Sequence, residues 1–542
     1  MTFKPWRHVP GKALLWLLNL FSAIALIFEG YNQGVMGFVN GSAGYIEAVG
    51  LGSDGVVTNS TKQGGLVAVY YFGAMFGCFI GGWYGDRFGR KKAVAVGSVL
   101  ALIGGVLQAA SQSSNMTICA RVVCGLGIGF INTIIPAWIS ELAQSHNRGS
   151  SFALVFCANY VGIVIAYWLG YGLRNDTTDF KWRFPLAFQT VPVIILLLTV
   201  AFLPESPRWL IADGRRDEAL EILAKIRGDR ALSDPELEHE ISQLDVIVAN
   251  AKHPRYSLIN MSFGRHSGLL HLGRRVSLAV GIMMMMEWTG ILAITVYANT
   301  LFQQAGFSAE KASWLSGLCN TFGIIGTAAS IFTIDRFGRR KSLYFGFFIQ
   351  GAVLMLSGGL SRLGEEHPNN SGAYGAAAAA MVFIYTFFFA QTVLMIAFLY
   401  PTEIWPQEVR ARGNSYGVFG WAVGCGTTTL VIPSMFSALG WKTLVVFGCF
   451  NFASLPLVYF FFPETLGRSL EEVNLLFTAK SPFVSSNKQE YERRLRDAGG
   501  DVLAAERSLL AEIDGQETAQ KSASDEEIAA TFKHGRVTED LK

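Results

Sequence analysis

Twelve stretches of this sequence run for the length of a membrane span almost without charge: 14–37, 64–84, 93–111, 117–139, 151–172, 186–203, 276–300, 312–334, 342–360, 376–399, 414–435 and 442–462. Each holds about 18 to 25 residues, and a helix of that length, rising 1.5 Å per residue, crosses a hydrocarbon core roughly 30 Å thick. In lipid every backbone N–H and C=O has to be paired within the chain, which leaves helices and closed barrels. A barrel needs short alternating segments, and these runs are continuous. With 51% hydrophobic and 16% charged residues, an array of soluble domains is excluded. The expected fold class is an all-α membrane protein with twelve transmembrane helices.

Charge sets the expected orientation. With the amino terminus in the cytoplasm, the short inner loops hold fourteen cations: Lys4, Arg7, Lys12, Arg87, Arg90, Lys91, Lys92, Arg148, Arg336, Arg339, Arg340, Lys341, Arg410 and Arg412. The outer loops hold seven: Lys62, Arg174, Lys181, Arg183, Lys311, Arg362 and Lys442. Positive loops stay inside, so both termini are placed in the cytoplasm. Sequons at Asn40, Asn59, Asn115, Asn175 and Asn369 then fall outside, and Asn59, Asn115, Asn175 and Asn369 are the expected glycosylation sites. Asn40 lies close to the bilayer, and the sequon at Asn260 falls inside. The seven cysteines all lie in spans without a CxxC motif or a neighbouring His cluster, so they read as packing residues and no metal is expected. A formal net charge of +3 gives no reason to expect nucleic acid.

The chain divides into a short cytoplasmic N-terminus (1–13), a first six-helix bundle (14–203), a polar cytoplasmic linker (204–275), a second bundle (276–462) and a tail (463–542). The linker carries the helical pattern EALEILAKIRG. The tail mixes charges with few large apolar residues, and is expected to be mostly disordered, with helix near 490–510. The halves repeat each other: GDRFGRKK at 85–92 returns as DRFGRRK at 335–341, Glu141 and Arg148 as Glu403 and Arg410, and Pro204-Glu205-Ser206 as Pro463-Glu464-Thr465. A shared period of about 250 to 260 residues implies two bundles related by an axis along the membrane normal, with a binding site between them near the midplane.

These motifs, with RVVCGLGIGF at 121–130, SELAQSHNRGS at 140–150, PESPRWL at 204–210 and PETLGRSLEE at 463–472, resemble the sugar porters of the major facilitator superfamily across roughly 14–475. FEGYNQGVMG at 28–37 and EWTGILAITVYANTLF at 287–302 further resemble a fungal sugar-transporter-like group. The resemblance implies the major facilitator fold and transport of a sugar or polyol. It also implies a cytoplasmic salt-bridge network, at Asp86, Arg87, Arg90, Glu141, Arg148 and Glu205 and again at Asp335, Arg336, Arg339, Glu403, Arg410 and Glu464. Opposite charges at the inner helix ends can latch that side when the halves close.

Charges inside the membrane are costly, which marks Glu29, Arg121 and Glu287 as functional candidates. Asn32 and Arg121 both sit about 6 to 8 Å deep by helix rise. In proton-coupled members of the family the position of Asn32 is an Asp linked to the Arg at position 121. An amide does not titrate, so that switch is absent. Glu29, at i and i+3 from Asn32, is read either as a substitute carboxylate or as a structural partner of Arg121. Glu287 lies near the midplane. Of the sugar-binding positions that the resemblance implies, Met286, Phe156, Gly323, Leu292 and Phe398 lack the usual polar or Trp side chain, Glu287 stands for a Gln, and Trp421 is kept. The candidate solute-binding set is Glu287, Trp288, Tyr297, Asn159, Asn320, Gln391 and Trp421. The Pro and Gly residues that the resemblance places in span 10 are missing between Gln391 and Tyr400, and glycines of span 11 are expected to supply bending or close approach instead.

The expected function is transmembrane transport of a monosaccharide, polyol or related small hydroxylated solute by alternating access, facilitative. The alternatives are proton-coupled symport through Glu287 or Glu29, and a sugar sensor or secondary-metabolite exporter. The sequence has no catalytic constellation, so no enzyme and no cofactor is expected. The expected partners are the solute, the lipid bilayer and, if transport is coupled, protons. The expected unit is a monomer in the plasma membrane.

Overall fold

The computed structural model describes residues 5–53, 55–142, 148–232, 234–251, 256–265, 267–513 and 515. Each apolar run becomes one helical span: span 1 Gly11–Val39, 2 Ser60–Phe88, 3 Arg90–Ala109, 4 Ser114–Ile139, 5 Leu154–Gly172, 6 Phe180–Val200, 7 Gly268–Thr295, 8 Ala309–Phe337, 9 Arg339–Glu366, 10 Pro368–Glu403, 11 Arg412–Leu439 and 12 Lys442–Phe461. Within the halves, span 1 packs on 5, span 2 on 4, span 7 on 11 and span 9 on both 10 and 12. Between the halves the main contacts are span 2 with 11 and span 5 with 8. Advancing each number by six exchanges these two pairs, so the interface has the pseudo-twofold symmetry that the repeated motifs imply.

The repeated DRFGR motif is a helix junction. Gly89 and Gly338 take φ of 98° and 88°, a region that side chains disfavour. There the chain turns from span 2 into 3 and from span 8 into 9. The unpaired N–H groups opening each new helix are then met by a carboxylate from the PES or PET motif. Glu205 accepts from the N–H groups of Arg90 (2.9 Å) and Lys91 (3.2 Å). Glu464 accepts from those of Arg339 (2.9 Å) and Arg340 (3.0 Å). Burial raises the Glu205 carboxyl above its ordinary range, against the pull of the Ser206 and Arg90 N–H donors.

Three spans break near the middle: span 6 at Gln189, just ahead of Pro192, and spans 7 and 10. In span 7 a turn of π-helix occupies Glu287–Ile291, with Gly290 at φ 102° against the Phe447 ring. The Thr289 carbonyl is met there by Asn451 Nδ2 of span 12 at 2.9 Å. Span 10 divides at Thr392 (φ −118°, ψ −79°) without Pro or Gly. The Thr392 hydroxyl bonds back to the Phe388 carbonyl at 2.6 Å, and Gly346 of span 9 gives it room. Span 10 thus breaks although the Pro and Gly that the resemblance implies are missing between Gln391 and Tyr400. Span 11 runs as one helix, Arg410–Leu439, and its glycines serve close approach: an added Cβ at Gly424 would come within 2.9 Å of the Glu287 side chain.

The face that holds residue 5, the linker and the tail helices, called the termini face, carries the short helices expected of the linker and more order in the tail than expected. Short helices Pro207–Ala212, Arg216–Ile226, Pro235–Ala251 and Leu258–Phe263 fill the linker, and the Asp229 carboxylate accepts from the Gly11 N–H at 3.0 Å, tying it to span 1. The tail, expected to be mostly disordered, forms helices Leu470–Leu476 and Val484–Asp497 and a further one at 502–513. A few apolar side chains suffice because they dock: Ala505, Leu509 and Ile513 are buried, and Arg274 at the start of span 7 donates to Ser481 O (3.1 Å) and Asn487 Oδ1 (2.9 Å). Residue 514 and residues 516–542 lie outside the described residues. On the far face Asn59, Asn115, Asn175 and Asn369 are exposed and Asn40 is buried.

Candidate functional site

A cavity lies between the halves at the broken part of span 7. The first half contributes Glu29 and Gln33 of span 1 with Phe156, Asn159, Tyr160 and Ile163 of span 5. The second contributes Met286, Glu287, Ile291, Leu292 and Thr295 of span 7, Phe389, Leu394 and Phe398 of span 10, and Trp421 of span 11. About 20 Å³ is open to the centre of a water molecule, room for little more than one water. The walls must therefore part to admit a solute.

Contacts between the halves close the cavity on both sides. Toward the far face, Tyr167 OH donates to Thr295 O and Asn299 Nδ2 donates to Gly37 O at 3.2 Å. At cavity level the Phe156 and Phe398 rings meet at 4.6 Å, and Tyr160 lies on the bare backbone of Gly323. Gly323, an Asn in the family, thus makes room for an aromatic ring. Toward the termini, Arg412 pairs with Asp86 at 2.9 Å and Arg208 donates to Gln407 O at 2.8 Å. The arrangement is occluded.

Of the candidate solute-binding residues, Glu287, Asn159 and Trp421 line this cavity. The other four do not. Trp288 packs on Phe450 and donates to Thr427 Oγ1 at 3.2 Å, while Tyr297 OH donates to Thr429 O at 3.1 Å, toward the far face. Asn320 Nδ2 bonds to Ser316 O of its own helix at 2.9 Å. Gln391 sits at the span 10 break and is not among the cavity residues. Gln33 was missed, although its place one turn beyond Glu29 puts both on one helix face.

The candidate coupling residues separate into two groups. Glu29 and Glu287 are 2% and 4% exposed and line the same cavity. Arg121 is elsewhere: it donates to Gln108 Oε1 (3.3 Å) and Val67 O (3.2 Å) and stacks over Tyr70. Among the described residues it forms no ion pair, so the structural Glu29–Arg121 bridge is not formed. Asn32 donates to Phe28 O, and its Oδ1 lies 3.9 Å from Cys124.

The charge motifs form one cluster in each half. Arg90 bridges Glu141 (3.0 Å) and Asp86 (3.1 Å); Arg339 bridges Glu403 (2.6 Å) and Asp335 (3.1 Å). These bind neighbouring helices within a half and do not latch one half to the other. Among the described residues two ion pairs cross, Arg174–Glu310 at 3.5 Å toward the far face and Asp86–Arg412 on this face, and Arg412 was legible only as an inner-loop cation. Arg87 and Arg336 are exposed, and the side chain of Arg148 lies outside the described residues. With both partners about one-third exposed, the Asp86–Arg412 pair is worth roughly 0.5 to 1 kcal/mol. Arg412→Ala should change the exchange rate about two- to fivefold at unchanged surface level, and Asp86→Asn more, since Arg90 also loses a partner. Unchanged rates in both would leave these charges as orientation anchors.

Among the described residues no cluster of three or more metal-ligating side chains occurs. The family model described as "Sugar (and other) transporter" matches residues 18–477. The chain is 29% identical to the MFS-type transporter criB of Aspergillus cristatus over 89% of this chain and 98% of that one. It is 30% identical to the Sugar transporter STL1 of Saccharomyces cerevisiae over 86% and 82%. Among solved structures, the proton:xylose symporter XylE of E. coli, bound to 6-bromo-6-deoxy-D-glucose, superposes with a TM-score of 0.72 at 21% identity, over 86% of this chain and 100% of that one. That likeness carries the fold.

Proposed function

This chain belongs to the sugar-transporter family of the major facilitator superfamily, and we propose that it carries a monosaccharide, polyol or related small hydroxylated solute across the plasma membrane by alternating access. It is a multi-pass membrane transporter and not an enzyme. The observation that supports the reading is the cavity between two repeated halves, closed on both sides by contacts that belong to different helix ends. Parting the contacts on one face while keeping those on the other exposes the site to one side at a time. The face with the termini is read as cytoplasmic, the four exposed sequons as glycosylated, and a single chain as the working unit.

Transport is proposed to be facilitative, because Asn32 cannot titrate and Arg121 is tied to Gln108 and Val67 rather than to a carboxylate. Uptake should then equilibrate, and a protonophore should leave it unchanged. Proton-coupled symport is the second reading, favoured by the two carboxyls in the cavity. On that reading uptake is concentrative and collapses with the proton gradient, and Glu287→Gln abolishes uphill uptake but keeps exchange.

A further inference from the structure

The cavity joins two acidic side chains, one from each half, and among the described residues no Lys, Arg or His lines it. Asn132 lies beside the Glu29 carboxyl and Cys425 beside that of Glu287, yet Glu29 Oε1 and Glu287 Oε2 have no hydrogen-bond partner among the described residues. A buried carboxylate without a partner is costly, and a second of the same sign nearby adds to the cost. The remaining polar groups in the wall, Gln33, Asn159, Tyr160 and Thr295, are few for a sugar with a hydroxyl on nearly every carbon. The rest is apolar apart from the Trp421 indole N–H, and it includes the rings of Phe389, Phe398 and Trp421; aromatic rings attract an ammonium group.

We propose that the solute accepted here carries a positively charged nitrogen beside its hydroxyl groups, an aminated sugar or polyol, with the nitrogen held between Glu29 of one half and Glu287 of the other. The inference rests on the transport reading above and names its substrate class. It also supplies a reason for closure. Because the carboxyls belong to different halves, a cation between them gains from both only when the halves come together, and a ligand shifts a conformational equilibrium only through such differential contacts. In the family-like position, Gln would offer a neutral amide to a hydroxyl; Glu287 offers an acceptor alone when ionised.

The test uses the full chain purified into liposomes, with D-glucosamine and D-glucose as probes at a pH low enough to keep the amine charged. Glucosamine should be preferred by at least about tenfold in kcat/KM. Glu287→Gln and Glu29→Gln should each reduce that preference, chiefly through KM. If a Gln variant does not reach the membrane, competition between the two sugars in the unaltered chain decides the question. Glucose carried as well as glucosamine would overturn the inference while the transport reading stands. So would an undiminished glucosamine preference in both variants, or protons entering with neutral glucose. If neither probe nor any neutral polyol is carried by folded protein, the transport reading falls and this inference with it.

Discussion

Joining the two halves by a disulfide between Gly82→Cys and Ser415→Cys should abolish transport, and a reducing agent should restore it. Gly82 of span 2 faces Ser415 of span 11 near the termini face, and a Cβ on Gly82 would stand 2.9 Å from Ser415 Oγ. In a disulfide the Cβ atoms are about 3.8 Å apart and the S–S bond is about 2.04 Å, so a Cβ lies about 3 Å from the partner sulfur, a separation that the 2.9 Å here matches. The seven native cysteines are free and unpaired with one another. The pair sits across the interface that has to open toward the termini, so the oxidised protein is confined to states closed on that face. The loss should be near complete, because a carrier held on one side turns over no solute. Full activity of the oxidised double variant, with the crosslink verified by mass, would mean that the halves do not part between spans 2 and 11.

Gly89→Ala and Gly338→Ala should each lower the thermal midpoint of the purified protein by about 3 to 8 °C, whereas Gly65→Ala should leave it unchanged. Both junction glycines sit in the left-handed region, where a side chain costs about 1 to 3 kcal/mol. An added Cβ would also come within 2.7 Å of Glu205 Oε2 at Gly89 and 2.9 Å of Glu464 Oε2 at Gly338. The carboxylate must then withdraw from the helix N-terminus it caps, leaving buried N–H groups unmet at about 1 to 3 kcal/mol each. Gly65 has nothing within 4 Å of the added carbon. Equal midpoints for all three variants would show that the junction tolerates a side chain, and would remove the physical account of the glycine in both motifs.

The spans and the repeat were legible in the sequence because lipid imposes one local rule, backbone pairing within the segment, and apolar length reports it directly. The charge motifs were legible as residues but not as partners: that Glu205 caps span 3 depends on how a distant loop folds back. The site was harder still. Trp288 and Glu287 are adjacent, and the π turn places one in the cavity and the other against Phe450. Asn320 is polar and buried like Asn159, but satisfies itself partly on its own helix. The break at Thr392 carries no Pro or Gly signal, since it depends on a hydroxyl bonding backward and on a glycine in a neighbouring span. In the tail, sparse apolar residues suggested disorder because its helices hold one another, through Asn474–Glu506 and Arg494–Glu512, and the middle one docks on spans 7 and 12, none of which a local pattern reports.

Radiolabelled solute exchange by the purified chain in liposomes, across a panel of hexoses, polyols and their amino analogues, tests the transport reading most directly. Saturable counterflow of at least one of these solutes is expected, absent from empty liposomes and from the oxidised Gly82→Cys, Ser415→Cys protein. A folded, reconstituted protein that exchanges none of them would contradict it.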